Sequence, residues 1–411
     1  MAKVLIKNIK GLVQYGENLP KVRKGKDMQE LPILENAYLA MEDGVIVDYG
    51  SMEEWGGITD WRDLEIIDAE GKYVLPAFCD SHTHLVFAKS REEEFVDRIK
   101  GLSYEEIASK GGGILNSARR LAEKSEDELF ADAMQRIDLV KSYGTGAIEI
   151  KSGYGLSVEA ELKILRVIRR IRNEAGIAVK ATFLGAHAFP KEYKEDHRGY
   201  IDLIINEMLP VIAAEQLADY IDVFCERNYF SLAEMEEILL AGKKLGLTPK
   251  VHVNQFSIMG GVAKAIELGA LSVDHLEEID DQDIAALLAS DCMPTLLPSC
   301  SHFISIPFAN ARKMMEAGLP VALASDFNPG TTPTGNLGVV MSLACVKMKM
   351  TPEEAINALT INAAYAMGLS KSHGSITLGK KCPVILTKQV PSLAYLPYAF
   401  GDNHIERLIG I

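Results

Sequence analysis

The chain has 411 residues, of which 48% are hydrophobic and 24% are charged, and its formal net charge is −14 at pH 7. This length and composition are typical of a globular protein with one large domain and a smaller one. The acidic balance argues against a nucleic-acid partner, which would require clustered Lys and Arg, so an anionic substrate must be attracted by a local Arg or Lys.

The cysteines and the first residues bear on the cellular compartment. None of the six cysteines forms a Cys-x-x-Cys pair, and several lie in apolar runs, where a buried reduced thiol is usual. The N-terminus lacks the apolar stretch of a signal peptide, and no run approaches the roughly 18 apolar residues of a membrane span. We therefore expect a soluble protein of the reducing cytoplasm, without a membrane partner.

The two ends of the chain have similar patterns. Residues 1–73 alternate short apolar runs with turn residues, and this period of two predicts antiparallel strands. Residues 371–411 return to short strand-like runs at 374–379 and 384–386, which are too few to be buried alone. We predict that 1–73 and 371–411 together build a small β-sandwich domain.

Residues 74–370 alternate buried strands with helical periodicity, which predicts parallel βα units. Eight such strands fit a (β/α)8 TIM barrel. An open doubly wound sheet is the alternative, but no G-x-G-x-x-G follows any of the strands. The predicted strands are 74–80, 144–150, 178–184, 220–225, 249–253, 271–274, 293–297 and 320–324, and the helices between them include 157–175, 231–245, 260–268 and 281–290.

One connection within the barrel, residues 85–143, is unusually long. It contains Arg91, Tyr104 and the glycines at 111–113. Long segments on the active-site side of a barrel are commonly lids or binding elements. We predict such an element here, with the glycines as a hinge; a simple loop between helices is the alternative.

Polar residues follow many of the predicted strands. His82 and His84 point to the same face of the first strand, as metal ligands often do. In a TIM barrel the active site lies at the carboxyl ends of the strands, and five of the nine histidines fall there. A single His or Asp would more often be a core residue or a helix cap, but together they favour a site. The strand-end residues are His82, His84, Lys151, Tyr154, His187, His252, His275 and Asp326.

Three imidazoles with one carboxylate suit zinc or ferrous iron and leave a position for water. A metal lowers the pKa of that water, which favours a hydrolytic reaction at neutral pH. In such a site Asp326 could bind the metal and carry a proton to a leaving nitrogen. His275 could polarise a carbonyl or stabilise an oxyanion.

The chain resembles the amidohydrolase superfamily over essentially its whole length, including the split β domain, in His82-Thr83-His84, His252, His275 and Ser325-Asp326. A narrower resemblance, to one group of its members, is carried by residues 80–88, 101–104, 111–114, 150–156, 183–188, 222–226 and 325–330. The superfamily pattern alone leaves deaminases, dihydroorotase-like and hydantoinase-like enzymes open. Lys-Ser-Gly-Tyr-Gly at 151–155 and Leu-Gly-Ala-His at 184–187 are similar to the members that hydrolyse 4-imidazolone-5-propanoate to N-formimidoyl-L-glutamate, the third step of histidine degradation.

This resemblance implies one divalent metal per chain, Zn²⁺ or Fe²⁺, and a homodimer that acts on a small-molecule substrate. The implied metal ligands are His82, His84, His252 and Asp326. The implied catalytic residues are Asp326 and His275. The implied substrate contacts are Arg91, Tyr154, His187, Gln255, Asn328, Gly330 and Thr331.

Some residues leave alternatives open. Members of the family have Glu or Gln at position 255, and Gln255 cannot act as a base, so proton transfer would rest on Asp326 and His275. Lys151 could be a carboxylated bridge between two metals, with Glu226 as a second-metal ligand, but we expect a mononuclear site. A deaminase of an aromatic base, another cyclic-amide hydrolase and a catalytically silent assembly protein are the competing functions.

Overall fold

The computed structural model describes residues 3–60, 62–102, 106 and 112–411. These residues form two sheets, a barrel and a separate sheet built from both chain ends. The strands are β1 (Lys3–Val13), β2 (Ile33–Glu42), β3 (Val45–Ser51), β4 (Leu64–Asp68), β5 (Tyr73–Pro76), β6 (Phe78–Thr83), β7 (Thr145–Lys151), β8 (Ala178–Ala186), β9 (Tyr220–Cys225), β10 (Thr248–Val253), β11 (Ser272–His275), β12 (Met293–Leu296), β13 (Ala322–Leu323), β14 (Val384–Thr387) and β15 (Ile405–Ile409).

The helices lie mostly between the barrel strands, as a (β/α)8 architecture requires. The described α-helices are Glu92–Ile99, Gly113–Glu123, Glu126–Ser142, Val158–Glu174, His197–Leu203, Leu209–Glu215, Leu232–Lys244, Gly261–Glu267, Asp281–Leu288, Pro298–Ile304, Ala311–Glu316, Leu337–Met348, Pro352–Leu359, Ile361–Ala366 and Tyr395–Tyr398. Within the described part of the chain, no helix combines the length and apolar character needed to cross a membrane.

The barrel consists of β6 to β13, each strand parallel to the next. β7, β9, β11 and β12 are buried along their whole length, which explains their continuous apolar runs. The last strand, β13, has only two residues, and the barrel is closed by the segment that follows it. There the Asp326 N–H donates to the His82 carbonyl at 3.0 Å, and the His84 N–H donates to the Phe327 carbonyl at 2.8 Å.

A buried side-chain pair reinforces this closure. The carboxylate of Asp80 in β6 accepts the Ser325 N–H at 3.0 Å and the Ser325 hydroxyl at 2.6 Å. Burial is the main reason that the pKa of Asp80 is raised, to about 7. The pair therefore joins the first barrel strand to the residue immediately before Asp326.

The second sheet has seven strands in the order β15-β14-β5-β1-β2-β3, with β4 also paired to β1. It is mixed, because β1 runs parallel to β4 and β5 and antiparallel to β2. Its apolar cluster includes Ile6, Leu12, Leu39 and Val384, all fully buried. The predicted barrel with a small β domain from both chain ends is confirmed, and hydrogen bonds connect the strands of that domain into one continuous sheet.

Some predicted elements differ from the structure. The predicted strand 74–80 is divided, because Pro76 pairs with Val384 in the small sheet whereas Phe78 pairs with Thr145 in the barrel. The apolar run is continuous because both halves are buried, so the pattern does not reveal the change of sheet. The prediction of a strand at 374–379 is wrong. This segment makes one isolated β-bridge, at Ile376, and glycines with positive φ begin and end the segment.

The helices Leu232–Lys244 and Pro352–Leu359 begin at capping boxes. Ser231 and Glu234 satisfy each other's backbone N–H at the start of Leu232–Lys244, and Thr351 and Glu354 do the same before Pro352–Leu359. Three helices cover most of the described residues between 92 and 142. Tyr104 and Gly111 lie outside the described residues, so the hinge stays a prediction.

Candidate active site

Three histidines converge at the carboxyl ends of β6 and β10. The nearest ring nitrogens of His82, His84 and His252 all lie within 4.8 Å of one another. Among the described residues, the Nε2 atoms of His82 and His252 are buried and have no hydrogen-bond partner. Buried polar atoms are normally satisfied, so this arrangement is typical of a site that receives a ligand.

The opposite ring nitrogen of each histidine has an acceptor in the barrel. His82 Nδ1 lies 2.7 Å from Asp274 Oδ2, and His252 Nδ1 lies 2.9 Å from Asp222 Oδ2. His84 Nδ1 lies 3.3 Å from the Ser152 carbonyl. When Nδ1 donates to these acceptors, the lone pair of each Nε2 is free to bind a metal, and the ring orientation is fixed.

Asp326 completes this group, which we call the His–Asp cluster (His82, His84, His252 and Asp326). Its Oδ1 lies 3.6 Å from His82 Nε2 and 3.8 Å from His84 Nε2. Three imidazole nitrogens and one carboxylate oxygen are a donor set that zinc and ferrous iron accept. The residues present therefore fit a divalent metal.

Two residues of the site have unusual backbone conformations. Asp326 has φ of 56° and His275 has φ of 91°, where non-glycine residues are strained, as is frequent at functional sites. Burial raises the pKa of Asp326, against the opposing charge of His275. Burial alone would lower the pKa of His275. The carboxylate of Glu277, 3.5 Å from His275 Nδ1, and the charge of Asp326 together outweigh burial, so the pKa is raised.

A buried charge network lies beneath the His–Asp cluster. Lys151 Nζ is 2.8 Å from both Glu149 and Asp222 and 3.5 Å from Asp274. Burial alone would lower the pKa of Lys151, but these carboxylates outweigh it and raise the pKa. A carboxylated lysine requires a neutral amine, so this environment favours a charged Lys151 that orients Asp222 and Asp274, the partners of His252 and His82.

Glu226, immediately after β9, is occupied by hydrogen bonds to its own loop and to the loop that follows β10. Its carboxylate accepts the backbone N–H of Arg227 at 2.8 Å, of Phe256 at 2.9 Å and of Ser257 at 3.2 Å, and also the Ser257 hydroxyl. This carboxylate therefore fixes the loop that follows Gln255.

A cavity of about 600 Å³ opens above the cluster. The predicted site residues that line it are His84, Arg91, Tyr154, His187, Gln255, His252, His275, Asp326, Asn328, Gly330 and Thr331, whereas His82 is fully buried behind them. The structure thus brings every predicted substrate contact to one cavity. The individual roles of these residues stay predictions.

One side of the cavity is aromatic. The His187 ring stacks on the His84 ring with centroids 5.1 Å apart and planes at 8°, and the Tyr154 ring lies 5.4 Å from both. Burial lowers the pKa of His187 to about 3, with a further contribution from His252. In a neutral His187, Nδ1–H donates one hydrogen bond to the carbonyl of Gly153, 3.0 Å away.

Asn328 shapes the loop on the other side. Its Oδ1 accepts the N–H of Gly330 at 2.8 Å and of Thr331 at 2.7 Å, and its Nδ2 donates to the Asp326 carbonyl at 2.7 Å. The loop approaches Arg91 so closely that a Cβ on Gly330 would overlap the guanidinium. A side chain at 330 would therefore displace the Arg91 guanidinium from this position.

Charged residues of the helix Glu92–Ile99 form another part of the cavity lining, which we call the arginine wall (Arg91, Glu94 and Arg98). Arg91 donates to Glu94 Oε2 from Nε at 2.9 Å and from Nη2 at 2.5 Å. Arg98 donates to the Gly330 carbonyl at 2.7 Å. Sequence reasoning identified Arg91 but missed Glu94 and Arg98; the available signal was their helical spacing of three and seven residues from Arg91.

The acids behind the histidines were also missed. Asp222 and Asp274 are charged residues inside otherwise apolar strands and are at most 1% exposed. A buried acid is rarely found without a partner. That exception in the strand pattern could have identified them as residues that orient His252 and His82.

Comparison with known proteins agrees with this geometry. The model of the amidohydrolase family matches residues 73–404. An imidazolonepropionase from Flavobacterium johnsoniae is 56% identical over 405 residues, which are 98% of each chain. An imidazolonepropionase from Christiangramia forsetii is 57% identical over 404 residues, 98% of this chain and 97% of the relative.

Among solved structures, E. coli guanine deaminase superposes with a TM-score of 0.74 and covers 100% of this chain and 97% of its own. The two sequences are 13% identical, so this likeness concerns the fold alone. The family resemblance read from the sequence is confirmed: the chain belongs to the amidohydrolase family and, within it, to the imidazolonepropionases.

Proposed function

We propose that this chain hydrolyses the cyclic amide C–N bond of 4-imidazolone-5-propanoate to N-formimidoyl-L-glutamate, a step of histidine degradation. The observation that carries the proposal is that one cavity contains both the His–Asp cluster and the arginine wall. The cluster suits hydrolysis of an amide, and the wall suits a substrate with a carboxylate. Relatives of that name at 56% and 57% identity support the same substrate.

We propose that His82, His84, His252 and Asp326 bind one divalent metal, Zn²⁺ or Fe²⁺. When bound, such a metal polarises the carbonyl and supplies hydroxide near neutral pH. Asp222 and Asp274 keep two of the imidazoles oriented toward it. Glu226 and Lys151 are occupied by other contacts, which supports a mononuclear site.

The proposed roles of the remaining residues follow from their positions. Asp326 accepts the proton of the attacking water at its carboxylate and delivers it to the ring nitrogen as the C–N bond breaks. His275, whose raised pKa favours the protonated form, donates to the carbonyl oxygen as negative charge develops there. The ring lies against His187 and Tyr154, and Gln255 hydrogen-bonds it without acting as a base.

The opposite end of the substrate carries the propionate. Arg91 presents a planar guanidinium, which matches a carboxylate with two parallel hydrogen bonds. Asn328 shapes the Gly330 loop next to it, and Thr331 Oγ1 lies 3.4 Å from Asp326 Oδ2. This loop therefore connects the carboxylate end of the cavity to the proton-transfer residue.

Two further predictions remain part of the proposal. We propose a cytoplasmic location, supported by six free thiols, and a homodimer, supported by the family resemblance. The net charge of −14 supports a small-molecule substrate over nucleic acid. Light scattering after size-exclusion chromatography would measure the oligomeric state.

The test is metal analysis together with turnover of freshly prepared 4-imidazolone-5-propanoate, followed as loss of its ultraviolet absorbance and as formation of the product by mass spectrometry. We expect about one metal per chain and conversion to N-formimidoyl-L-glutamate. A protein that contains metal but converts only guanine, cytosine or hydantoin would contradict the proposed substrate. A metal-free, inactive protein would instead favour a silent scaffold.

A further inference from the structure

The arginine wall has two guanidinium groups and one carboxylate. Glu94 is a buried acid whose Oε2 accepts both donors of Arg91 and whose Oε1 accepts the Gly113 N–H at 2.9 Å. Both oxygens of this carboxylate are therefore used. Glu94 compensates the charge of Arg91 and links the first helix of the long segment to the second.

Arg98 lies one turn further along the same helix and has different surroundings. Its Nη2 donates to the Gly330 carbonyl at 2.7 Å, and its guanidinium lies over the Phe303 ring, 5.4 Å from the centroid. Among the described residues, no carboxylate lies within ion-pairing distance of it. These partners orient the guanidinium but do not neutralise its positive charge.

The charge of Arg98 also faces the cavity. Arg98 and Gly330 both line it, and the side chain is only partly exposed, which strengthens its electrostatic effect relative to a surface arginine. Burial lowers the pKa of Arg98, the neighbouring charge of Arg91 lowers it further, and the carboxylate of Glu94 opposes both effects without reversing them. The net lowering is that of a positive charge that would be stabilised by an added anion.

We propose that Arg98 is a specificity-determining residue, whose guanidinium charge, which has no ion-paired carboxylate among the described residues, selects substrates that carry a carboxylate beside the ring. This inference rests on the proposed function and deepens it. Arg91 provides the hydrogen-bonding fork, but its charge is matched by Glu94. Arg98 provides the net charge that distinguishes an anionic substrate from a neutral one of the same shape.

The experiment uses two non-reacting probes on the metal-loaded protein, imidazole-4-propanoate and its primary amide. Both carry the same ring, so any contact of the ring with the metal or with His187 is shared. Isothermal titration gives the affinity ratio of carboxylate to amide for the unchanged protein and for Arg98→Met, Arg98→Gln and Arg98→Lys. The ratio isolates recognition of the charge from general damage to the cavity.

We expect Arg98→Met to weaken carboxylate binding about 10- to 100-fold, the usual loss for a hydrogen-bonded charged group, with amide binding nearly unchanged. Arg98→Gln keeps a donor for the Gly330 carbonyl but removes the charge, and we expect the same loss of preference. Arg98→Lys keeps the positive charge, and this variant should retain most of the preference for the carboxylate. With the substrate, Arg98→Met should raise KM much more than it lowers kcat.

Arg119 gives a matched control. It is an exposed arginine of the helix Gly113–Glu123, lies outside the cavity lining and donates to Asn116 Oδ1 at 2.8 Å. Arg119→Met removes the same charge, and we expect the affinity ratio to stay within about twofold at physiological salt, where distant exposed charges are screened.

Equal weakening of both probes by Arg98→Met and Arg98→Gln would show that Arg98 only braces the Gly330 loop, and it would overturn the inference. An unchanged ratio in both variants would overturn it as well. Failure of the proposed function is a separate result, since it appears as absent turnover by the unchanged protein. The ratio of the two non-reacting probes is measured independently of turnover.

Discussion

The His–Asp cluster and the arginine wall face the same cavity but are built in different ways. The cluster side chains are at most 5% exposed and stand at the ends of barrel strands, and the rings of His82 and His252 are fixed by buried acids. The wall stands on the single helix Glu92–Ile99, outside the sheet. The barrel thus positions the chemistry, whereas an inserted helix provides selectivity and can change without disturbing the barrel.

Metal removal tests the cluster most directly. We expect a chelator to abolish turnover completely and added Zn²⁺ or Fe²⁺ to restore it, because the unpartnered Nε2 atoms of His82 and His252 then regain a ligand. Turnover and metal content are measured on the same samples. The arginine wall does not bind the metal, so the Arg98→Met variant should respond to the chelator as the unchanged protein does. Full turnover by metal-free protein would contradict the assignment of the metal ligands.

Asp326→Asn should lower kcat by about 10²- to 10⁴-fold, the usual contribution of a positioned proton-transfer group. The amide keeps the size of the carboxylate but cannot accept the proton. Kinetics, circular dichroism and metal analysis would separate the proton role from loss of fold or metal.

Asp281→Asn is the matched control, because Asp281 is an exposed acid paired with Lys313. We expect its kcat to remain within about twofold of the unchanged protein, as for most surface substitutions. Retained turnover by Asp326→Asn would refute the proton role.

Asp274→Asn should weaken metal binding about 10- to 100-fold, since loss of a partner that orients a ligand typically has this effect. The reason is its 2.7 Å contact with His82 Nδ1. Competition with a coloured chelator measures the affinity. Asp283→Asn removes another buried acid, whose side-chain partner is Asn254, and should leave metal affinity nearly unchanged; equal effects of both substitutions would indicate general destabilisation.

Glu226→Gln should have the smallest effect, a rise in KM of about 3- to 10-fold with kcat less changed. The neutral amide accepts the N–H groups of Phe256 and Ser257 more weakly, by about 1 kcal/mol, so the loop after Gln255 is held less firmly. Steady-state kinetics test this. Glu237→Gln, which removes an exposed partner of Arg198, should leave KM unaltered.

The contrast between the two regions also explains what the sequence could predict. The barrel strands and the residues after them follow from periodicity, because apolar strands end where polar side chains begin. Asp222 and Asp274 were missed because their partners are on other strands, far away in the chain. In the arginine wall, Arg91 was predicted but Glu94 and Arg98 were missed. Helical spacing places them on the same side as Arg91, but it does not show that Glu94 forms an ion pair with Arg91 and not with Arg98, because that depends on side-chain directions.

The small domain shows a similar limit. The chain leaves the small sheet and enters the barrel at Ala77. This change leaves no break in the apolar pattern, because Ala77 is buried and its N–H donates to the Pro383 carbonyl. Likewise, the run 374–379 has strand-like residues, but the positive φ of Gly374 and Gly379 turns the chain away from a ladder. The first difference depends on a contact with a distant part of the chain, and the second depends on the local backbone conformation of two glycines.

The closure of the barrel has a consequence for how the protein is made. The hydrogen bonds that join β6 to the segment after β13 involve the backbone of His82, His84 and Asp326, and the Asp80–Ser325 pair spans 245 positions of the chain. During synthesis, Asp326 must therefore emerge from the ribosome before the four metal-binding residues can assemble. Nascent chains that end earlier should show no tight metal uptake, and acquisition of the ion would report completion of folding.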